Sequence, residues 1–382
     1  MRQNILHIIL PMLIGMAFAS SCTSDPEVTD YATGEEMTFD VGPSTRAIVI
    51  KKDNVTKQTF RLYGDLNTKS VYINGEYFEG LRKIFDGAQV KYQSSAWNYG
   101  TAQYWLLGQE YSFVAIMPYA ISGASGMTYS NSELSFSYTL PSNLNDAVDL
   151  LAATDRRKFH LGSSSLATVS FTFKHLLSQI SIQIALDEDL MYVDDDNYRK
   201  EDPDYEDEFI EFHRVEIYGS RSAAAFTVTP GSLPADGQTS EGTIDMRLID
   251  NDGDSKLSKP LSPARKITNN GQHVSIFSDA DALLLMPQEF ASDSEAKMGL
   301  TYTVNGNTGR ERQIELPLAG NKWEAGKTYT FKFTVSKAYT GQIKEGSLTI
   351  EINDTTDPDA SDRWISEEDK LQFDFGVPGS GK

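Results

Sequence analysis

Residues Met37 to Ala47 read MTFDVGPSTRA. Met37, Phe39 and Val41 alternate with Thr38 and Asp40, so one face of the segment is apolar and the other polar. That is the period of a strand with one covered face. Gly42, Pro43 and Ser44 break it. Arg46 then stands alone in a short linker before a second apolar run, Ile48-Val49-Ile50. The segment is therefore a strand tied to the body by a loop that holds one basic residue. Exposed loop tips of this kind are where proteases cut.

A near copy lies at the other end of the chain. Leu371 to Val377 reads LQFDFGV, followed by Pro378. Aligned on MTFDVG, Phe39 matches Phe373, Asp40 matches Asp374 and Gly42 matches Gly376, while Met37 and Val41 become Leu371 and Phe375. Two strands of one pattern are useful where one can take the other's place, which points to strand exchange between subunits. Two ordinary edge strands, alike by chance, give the same pattern.

The chain has 382 residues, enough for two domains and ample cores. It carries 34 basic and 54 acidic side chains, a net charge of −20. No Lys/Arg cluster can track a phosphate backbone, so nucleic acid is not an expected partner. An anionic membrane surface would repel the chain. Cys22 is the single cysteine, so no disulfide forms within the chain and stability must come from burial and β pairing.

Residues 1–21 form a targeting segment. Arg2 supplies a positive start, and Ile5 to Phe18 is mostly apolar but short for a bilayer span and interrupted by His7 and Pro11. Ala19-Ser20-Ser21 are small, and Cys22 follows at once. This resembles a lipobox, in which Cys22 is acylated and becomes the mature N-terminus. Ala19 stands where a lipobox usually has Leu, and an ordinary signal peptide with an incidental cysteine is the other reading. Acylation would tie the protein to a membrane, each buried methylene contributing ~0.8 kcal/mol. Asp25 and Glu27 resemble the acidic export tag of Bacteroidetes surface lipoproteins. Residues 22–46 then read as a lipidated tether and the exchangeable first strand.

From 47 to 163 the chain shows many β segments between turns. They are Gln58 to Tyr63, Val71 to Ile73, Gln89 to Tyr92, Tyr111 to Ile116 and Leu134 to Tyr138. Asn74-Gly75, Asp86-Gly87 and Asn98-Tyr99-Gly100 supply turn chemistry. Leu144 to Ala153 suits a short helical turn. A second series, in 164–352, includes Val169 to Phe173, Ile180 to Ala185, Phe209 to Tyr218, Ala224 to Val228 and Thr328 to Val335. Leu283 to Met286, Leu300 to Val304 and Gln313 to Leu316 complete it. In Asp187 to Glu208, 12 of 22 residues are acidic, which makes a solvated loop. The pattern is all-β, a sandwich rather than alternating β and α. Residues 353–382 read as a polar linker and a donor-strand tail.

Both halves carry one signature. Trp105, Gly108, Tyr111 and Phe113 are spaced W-x-x-G-x-x-Y-x-F, and Trp323, Gly326, Tyr329 and Phe331 repeat it 218 residues later. Gly permits a bend into a strand, and Tyr and Phe, two apart, share one face of that strand. Trp can pack across the turn. Two copies argue for two related sandwich domains.

These residues resemble the fimbrillin family, subunits of Bacteroidetes type V pili. The likeness runs from Cys22 through F-x-x-G-x-x-T-R-A (Phe39 to Ala47), Phe113 to Pro118 and Asp149-Leu150-Leu151-Ala152. It continues through F-x-H-x-L-S-x-I (Phe173 to Ile180), Leu284 to Gln288 and the motif at Trp323. The resemblance implies two tandem transthyretin-like β-sandwich domains with an N-terminal lipoprotein signal and a C-terminal strand appendage. It implies a lipoprotein passing through the periplasm to the outer membrane and cell surface. A trypsin-like protease would cleave between Arg46 and Ala47, displacing Met37, Phe39 and Val41. The donor strand of another pilin subunit, with Leu371, Phe373 and Phe375, would replace them. A chain with both an exchangeable strand and a donor tail fits a stalk position.

Catalytic and metal signatures are not expected. His7, His160, His175, His213 and His273 are scattered, with no H-x-x-x-H spacing. His175, beside Phe173 and Leu176, reads as a core or interface histidine. Asp250, Asp252 and Asp254 with Gly253 lack the spacing of an EF-hand and read as a hairpin turn. Asp354-Thr355-Thr356 resembles a Bacteroidetes O-glycosylation sequon. The rival function is a surface lipoprotein that binds glycans by stacking on Trp97, Tyr99, Tyr104 or Trp105. The competing role for these aromatics is core packing. A host-directed adhesin that does not polymerise is a third reading.

Overall fold

The computed structural model describes residues 32–41, 55–73, 76–159, 168–186, 209–233, 242–250 and 256–268. It also describes 272–277, 282–304, 311–339, 342–354 and 371–374. Cys22, Arg46, Ala47, Phe375 and the acidic stretch 187–208 lie outside these residues.

The described chain runs almost wholly as strands. The opening stretch forms β1 (Ala32–Glu36) and β2 (Thr38–Val41). A long hairpin follows, β3 (Thr59–Ile73) and β4 (Glu76–Gln93), then short β5 (Ala96–Asn98) and β6 (Tyr104–Leu106). β7 (Glu110–Met117), the hairpin β8 (Ala124–Ser130) and β9 (Glu133–Thr139), and β10 (Leu151–Lys158) complete the first half. The second half opens with β11 (Thr168–Phe171), β12 (Lys174–His175) and β13 (Ser178–Leu186). β14 (Phe209–Tyr218), β15 (Ala223–Thr229), β16 (Thr243–Ile249) and β17 (Leu257–Thr268) come next. β18 (Val274–Ser275), β19 (Leu283–Leu285) and β20 (Gln288–Glu289) are short. β21 (Lys297–Val304), β22 (Arg312–Pro317) and β23 (Lys322–Trp323) lead to the long pair β24 (Lys327–Tyr339) and β25 (Gln342–Asp354), and then to β26 (Leu371–Asp374).

The all-β class holds, and β7 is the key to its layering. The first half centres on a sheet ordered β12-β10-β7-β3-β4-β5. From Tyr111 to Met117 every residue of β7 is buried. Phe113, Ala115 and Met117 enter one apolar cluster, while Val114 and Ile116 enter another. A strand covered on both faces reads as a continuous apolar run, which is why Phe113 to Met117 does not alternate. The first cluster is capped by the pair β11-β2. The second is continuous with the interior of the second half.

The two halves also share a hydrogen-bonded sheet. The sheet ordered β16-β15-β9-β8 takes β8 and β9 from the first half and β15 and β16 from the second. Phe136 and Phe226 are register partners in it, and their rings stack with centroids 5.3 Å apart. The remaining large sheets are β17-β14-β21-β22 and β18-β13-β24-β25-β26, with β19 also on β13.

Two local expectations are corrected. Asp86-Gly87 is not a turn. Tyr63 pairs Asp86 and Leu62 pairs Ala88, so Gly87, at φ 75°, is a bulge inside β4. The helical turn is only Leu144–Asp146, a 3-10 turn whose Asn145 N–H donates to the Asn143 side chain at 3.2 Å. By Leu151 the chain is a strand, because Leu151 and Ala152 serve the two clusters on opposite faces.

Candidate functional site

The groove that holds the first strand is the candidate site. β2 alternates as the sequence requires: Thr38 and Asp40 are exposed, Phe39 buried and Val41 partly buried. Met37 and Phe39 are 1% and 5% exposed. Among the described strands β2 pairs with β11 alone, parallel, from Thr38 opposite Thr168 to Val41 opposite Phe171. The Thr38 and Thr168 hydroxyls are hydrogen-bonded at 2.7 Å.

Phe39 occupies a box of four rings. Phe171 stacks on it at 5.9 Å. Tyr99, Phe85 and Phe113 approach edge to face at 5.3, 5.7 and 5.8 Å. Such pairs each contribute ~0.5–1.5 kcal/mol beyond area burial. The box exists because Gly64 leaves it room. A Cβ there would lie 2.9 Å from the Phe113 ring and 3.0 Å from that of Phe85. Met37 is held through its backbone. Its N–H donates to the Gln103 carbonyl at 2.8 Å, and its carbonyl accepts from the Tyr99 hydroxyl at 2.8 Å. The same Tyr99 oxygen accepts from the Gln103 N–H at 3.2 Å. Burial pushes the Tyr99 phenol above its ordinary value.

The strand that receives β2 is itself anchored. Arg157 Nε and Nη2 donate to the two carboxylate oxygens of Asp155 at 2.6 and 2.8 Å, and both residues are buried. Arg157 Nη1 donates to the Thr168 carbonyl at 2.8 Å. The guanidinium thus fixes the first residue of β11 to β10. A buried charge pair is tolerated here because its geometry is bidentate and a third donor is satisfied by a carbonyl. Sequence reading missed this pair. Its only signal is two opposite charges, two apart, on the face that Leu151 and Ala153 bury.

The second copy of the strand pattern sits elsewhere. β26 is the outer strand of its sheet, antiparallel to β25, with Leu371 opposite Leu348 and Phe373 opposite Gly346. The two copies are thus in different sheets of one chain.

The repeated W-x-x-G-x-x-Y-x-F signature has one geometry in both halves. Gly108 and Gly326 each have φ 73°. The Leu106 N–H donates to the Tyr111 hydroxyl at 2.7 Å, and the Glu324 N–H donates to the Tyr329 hydroxyl at 2.9 Å. Trp105 lies edge-on to Tyr111 at 4.6 Å, and both Trp105 and Trp323 are buried.

The other sequence candidates fall as follows. His175 is buried, with Nδ1 2.9 Å from Asp149 Oδ1, which joins the F-x-H-x-L-S-x-I and Asp149-Leu150-Leu151-Ala152 segments. His213 Nε2 is 2.8 Å from the Thr303 hydroxyl. Asp250 is ion-paired with Arg221 at 2.9 Å, while Asp252 and Asp254 lie outside the described residues. Among the described residues no group of three or more His, Cys, Asp or Glu is placed to hold a metal ion. Of the four stacking candidates, Trp97 and Trp105 are buried, Tyr99 is partly buried and Tyr104 alone is exposed. They form no open aromatic row. No helix of the described residues is long and apolar enough to cross a membrane.

Residues 45–354 match the family described as fimbrillin-like, and the chain belongs to that family. Three solved structures illustrate the likeness. A candidate cell adhesion protein from Bacteroides uniformis is 17% identical, with 84% of this chain and 100% of that one covered and a TM-score of 0.43. One from Bacteroides ovatus is 14% identical, covering 84% and 96%, with a TM-score of 0.41. A candidate adhesin from Bacteroides thetaiotaomicron is 13% identical, covering 84% and 95%, with a TM-score of 0.31. No curated protein matches the chain.

Proposed function

We propose that this fimbrillin-like chain is a structural subunit of a cell-surface pilus and supports adhesion. In this reading it leaves the cell as a lipoprotein acylated at Cys22, and a trypsin-like protease cuts after Arg46. The cut frees the first strand. A neighbouring pilin's donor strand then fills the groove, with Phe373 in the place of Phe39, Leu371 for Met37 and Phe375 for Val41. The tandem sandwiches 47–163 and 164–352, followed by a donor tail, suit a stalk subunit. The role is mechanical, and it asks for no cofactor or metal.

The observation that carries this reading is the Phe39 box. A ring enclosed by four others is core packing, yet its strand pairs with a single neighbour among the described strands. β2 can therefore leave without opening a large sheet, though the freed segment also carries β1, whose two-stranded pairing with β6 must part with it. What it leaves is an apolar slot beside a free strand edge, the setting for β-augmentation. Burying three large apolar side chains there stabilises by about 1.5–3 kcal/mol each, before ordering costs. A donor with the bulkier Phe375 can match the strand it replaces.

Mild trypsin treatment, followed by sizing under non-denaturing conditions, tests the reading. Cleavage after Arg46 and a ladder of oligomers are expected. Deleting Leu371 to Lys382 should abolish the ladder while leaving the cut. A cut protein that stays monomeric at high concentration would refute polymerisation by exchange.

A further inference from the structure

A second cavity lies away from the first-strand groove, where β12, β15, β16, β20 and β23 meet. Its volume is about 840 Å³, within the range of small-molecule sites. The floor is apolar, with Phe173, Leu176, Phe226 and Trp323 all nearly fully buried. One wall is β16, where Thr243, Asp245 and Arg247 are exposed and Ile244, Met246 and Leu248 are only partly buried. That apolar row lines the cavity and is left half covered. Uncovered apolar surface at a concave site marks a place where something binds.

The rim decides what that is. It carries Lys174, Arg221, Arg247 and Lys322 against Glu289 and Glu324. With Asp250, which Arg221 holds, four bases face three carboxylates, a net of +1 on a chain whose net charge is −20. Arg221 and Lys322 already hold carboxylates, Asp250 at 2.9 Å and Glu324 at 3.2 Å. Arg247 is exposed and has no ion-pair partner among the described residues. Two wall residues also carry buried ring nitrogens without a hydrogen-bond partner among the described residues, His175 Nε2 and Trp323 Nε1. An apolar floor beneath a locally positive rim selects a molecule with an apolar body and an anionic head.

We propose that this cavity binds an anionic amphiphile. Its apolar body lies on Phe226, Met246 and Leu248, and its head lies beside Arg247. A cavity of this volume, walled by five elements, suits a small molecule better than a macromolecular face. The site contains neither β2 nor a ring of the box around Phe39, and touches that box only where Phe173 of its floor lies 6.1 Å from Phe171.

Isothermal titration of the full chain with dodecanoate, dodecyltrimethylammonium and dodecyl maltoside, each below its micellar concentration, tests this. Saturable binding of dodecanoate at one site is expected, with the cationic and neutral probes far weaker. Arg247→Glu should weaken dodecanoate by roughly tenfold, as charge reversal beside a bound anion does, and Arg247→Lys should restore most of it. Arg247 is exposed, so thermal melting should change in neither variant. Equal binding of all three probes, no saturable binding, or wild-type affinity in Arg247→Glu would each overturn the proposal. Tighter binding of an acidic peptide without apolar residues would overturn it too, in favour of a peptide groove.

Discussion

At the scale of single residues, burial sets both the stability and the pH response. Phe39→Ala removes a ring with four aromatic neighbours, and such truncations cost ~3–5 kcal/mol. The expected result is a matching drop in the denaturant midpoint of the intact chain. An unchanged midpoint would mean that the first strand adds nothing to the fold. Tyr138 carries a different prediction. It is fully buried, and burial pushes its phenol from 10.0 up to about 12. Below pH 10 both folded and unfolded phenols are protonated. Between pH 10 and 12 only the unfolded phenol loses its proton, so stability falls as pH rises. Burial pushes Tyr111 and Tyr129 up as well and adds to the slope. The Tyr138 hydroxyl lies beside the Val148 backbone, without a hydrogen bond of good geometry among the described residues. Tyr138→Phe should therefore be near neutral at pH 7 and shift the alkaline midpoint upward in a pH-ramped melt. Residue-scale features differed in how visible they were beforehand. The buried face of Met37 and Phe39 follows from alternation alone. The Arg157 clamp does not, because DRRK reads as the polar end of a strand until β11 is known to lie beside it.

At the scale of elements, local pattern serves well where a strand has one covered face and poorly where geometry is set by a partner. β2, β9 and β13 were visible because their apolar residues alternate. Gly87 was misleading because a bulge and a turn both need a glycine at positive φ, and only pairing with β3 decides between them. The W-x-x-G-x-x-Y-x-F turn shows the opposite case. Its spacing anticipated one shape in two places, but not the hydrogen bond that fixes it. In each copy a tyrosine hydroxyl accepts a backbone N–H from the residue after the tryptophan. Removing the acceptor strands a donor inside the protein, which costs ~1–3 kcal/mol. Tyr111→Phe and Tyr329→Phe should each lower stability by that amount, measured by urea unfolding. Because the turns lie in different halves, the two effects should add in the double variant. A silent Tyr329→Phe would show that the second turn is held by packing alone.

At the scale of the whole molecule, the pairing across the two halves matters most. The division at 163 and 164 that the two β series suggest passes between strands that pair: β9 with β15, β2 with β11, and β10 with β12. Sequence could not show this, since nothing in Leu134 to Tyr138 names its neighbour more than eighty residues away. A subunit meant to bear tension gains from such crossing, because a sheet built from both halves cannot be pulled apart by opening one linker. The crossing also keeps exchange local, as β2 is absent from that shared sheet. A protease site introduced between Ser163 and Ser164 separates the two ideas. If the shared sheet holds the halves together, the nicked chain should elute at its intact size and part only in denaturant, with a single cooperative transition by calorimetry. Two fragments separating in native buffer, or two resolved transitions, would mean that each half folds and carries load by itself. In that case the joint between them, rather than the exchanged strand, would be the weak point under tension.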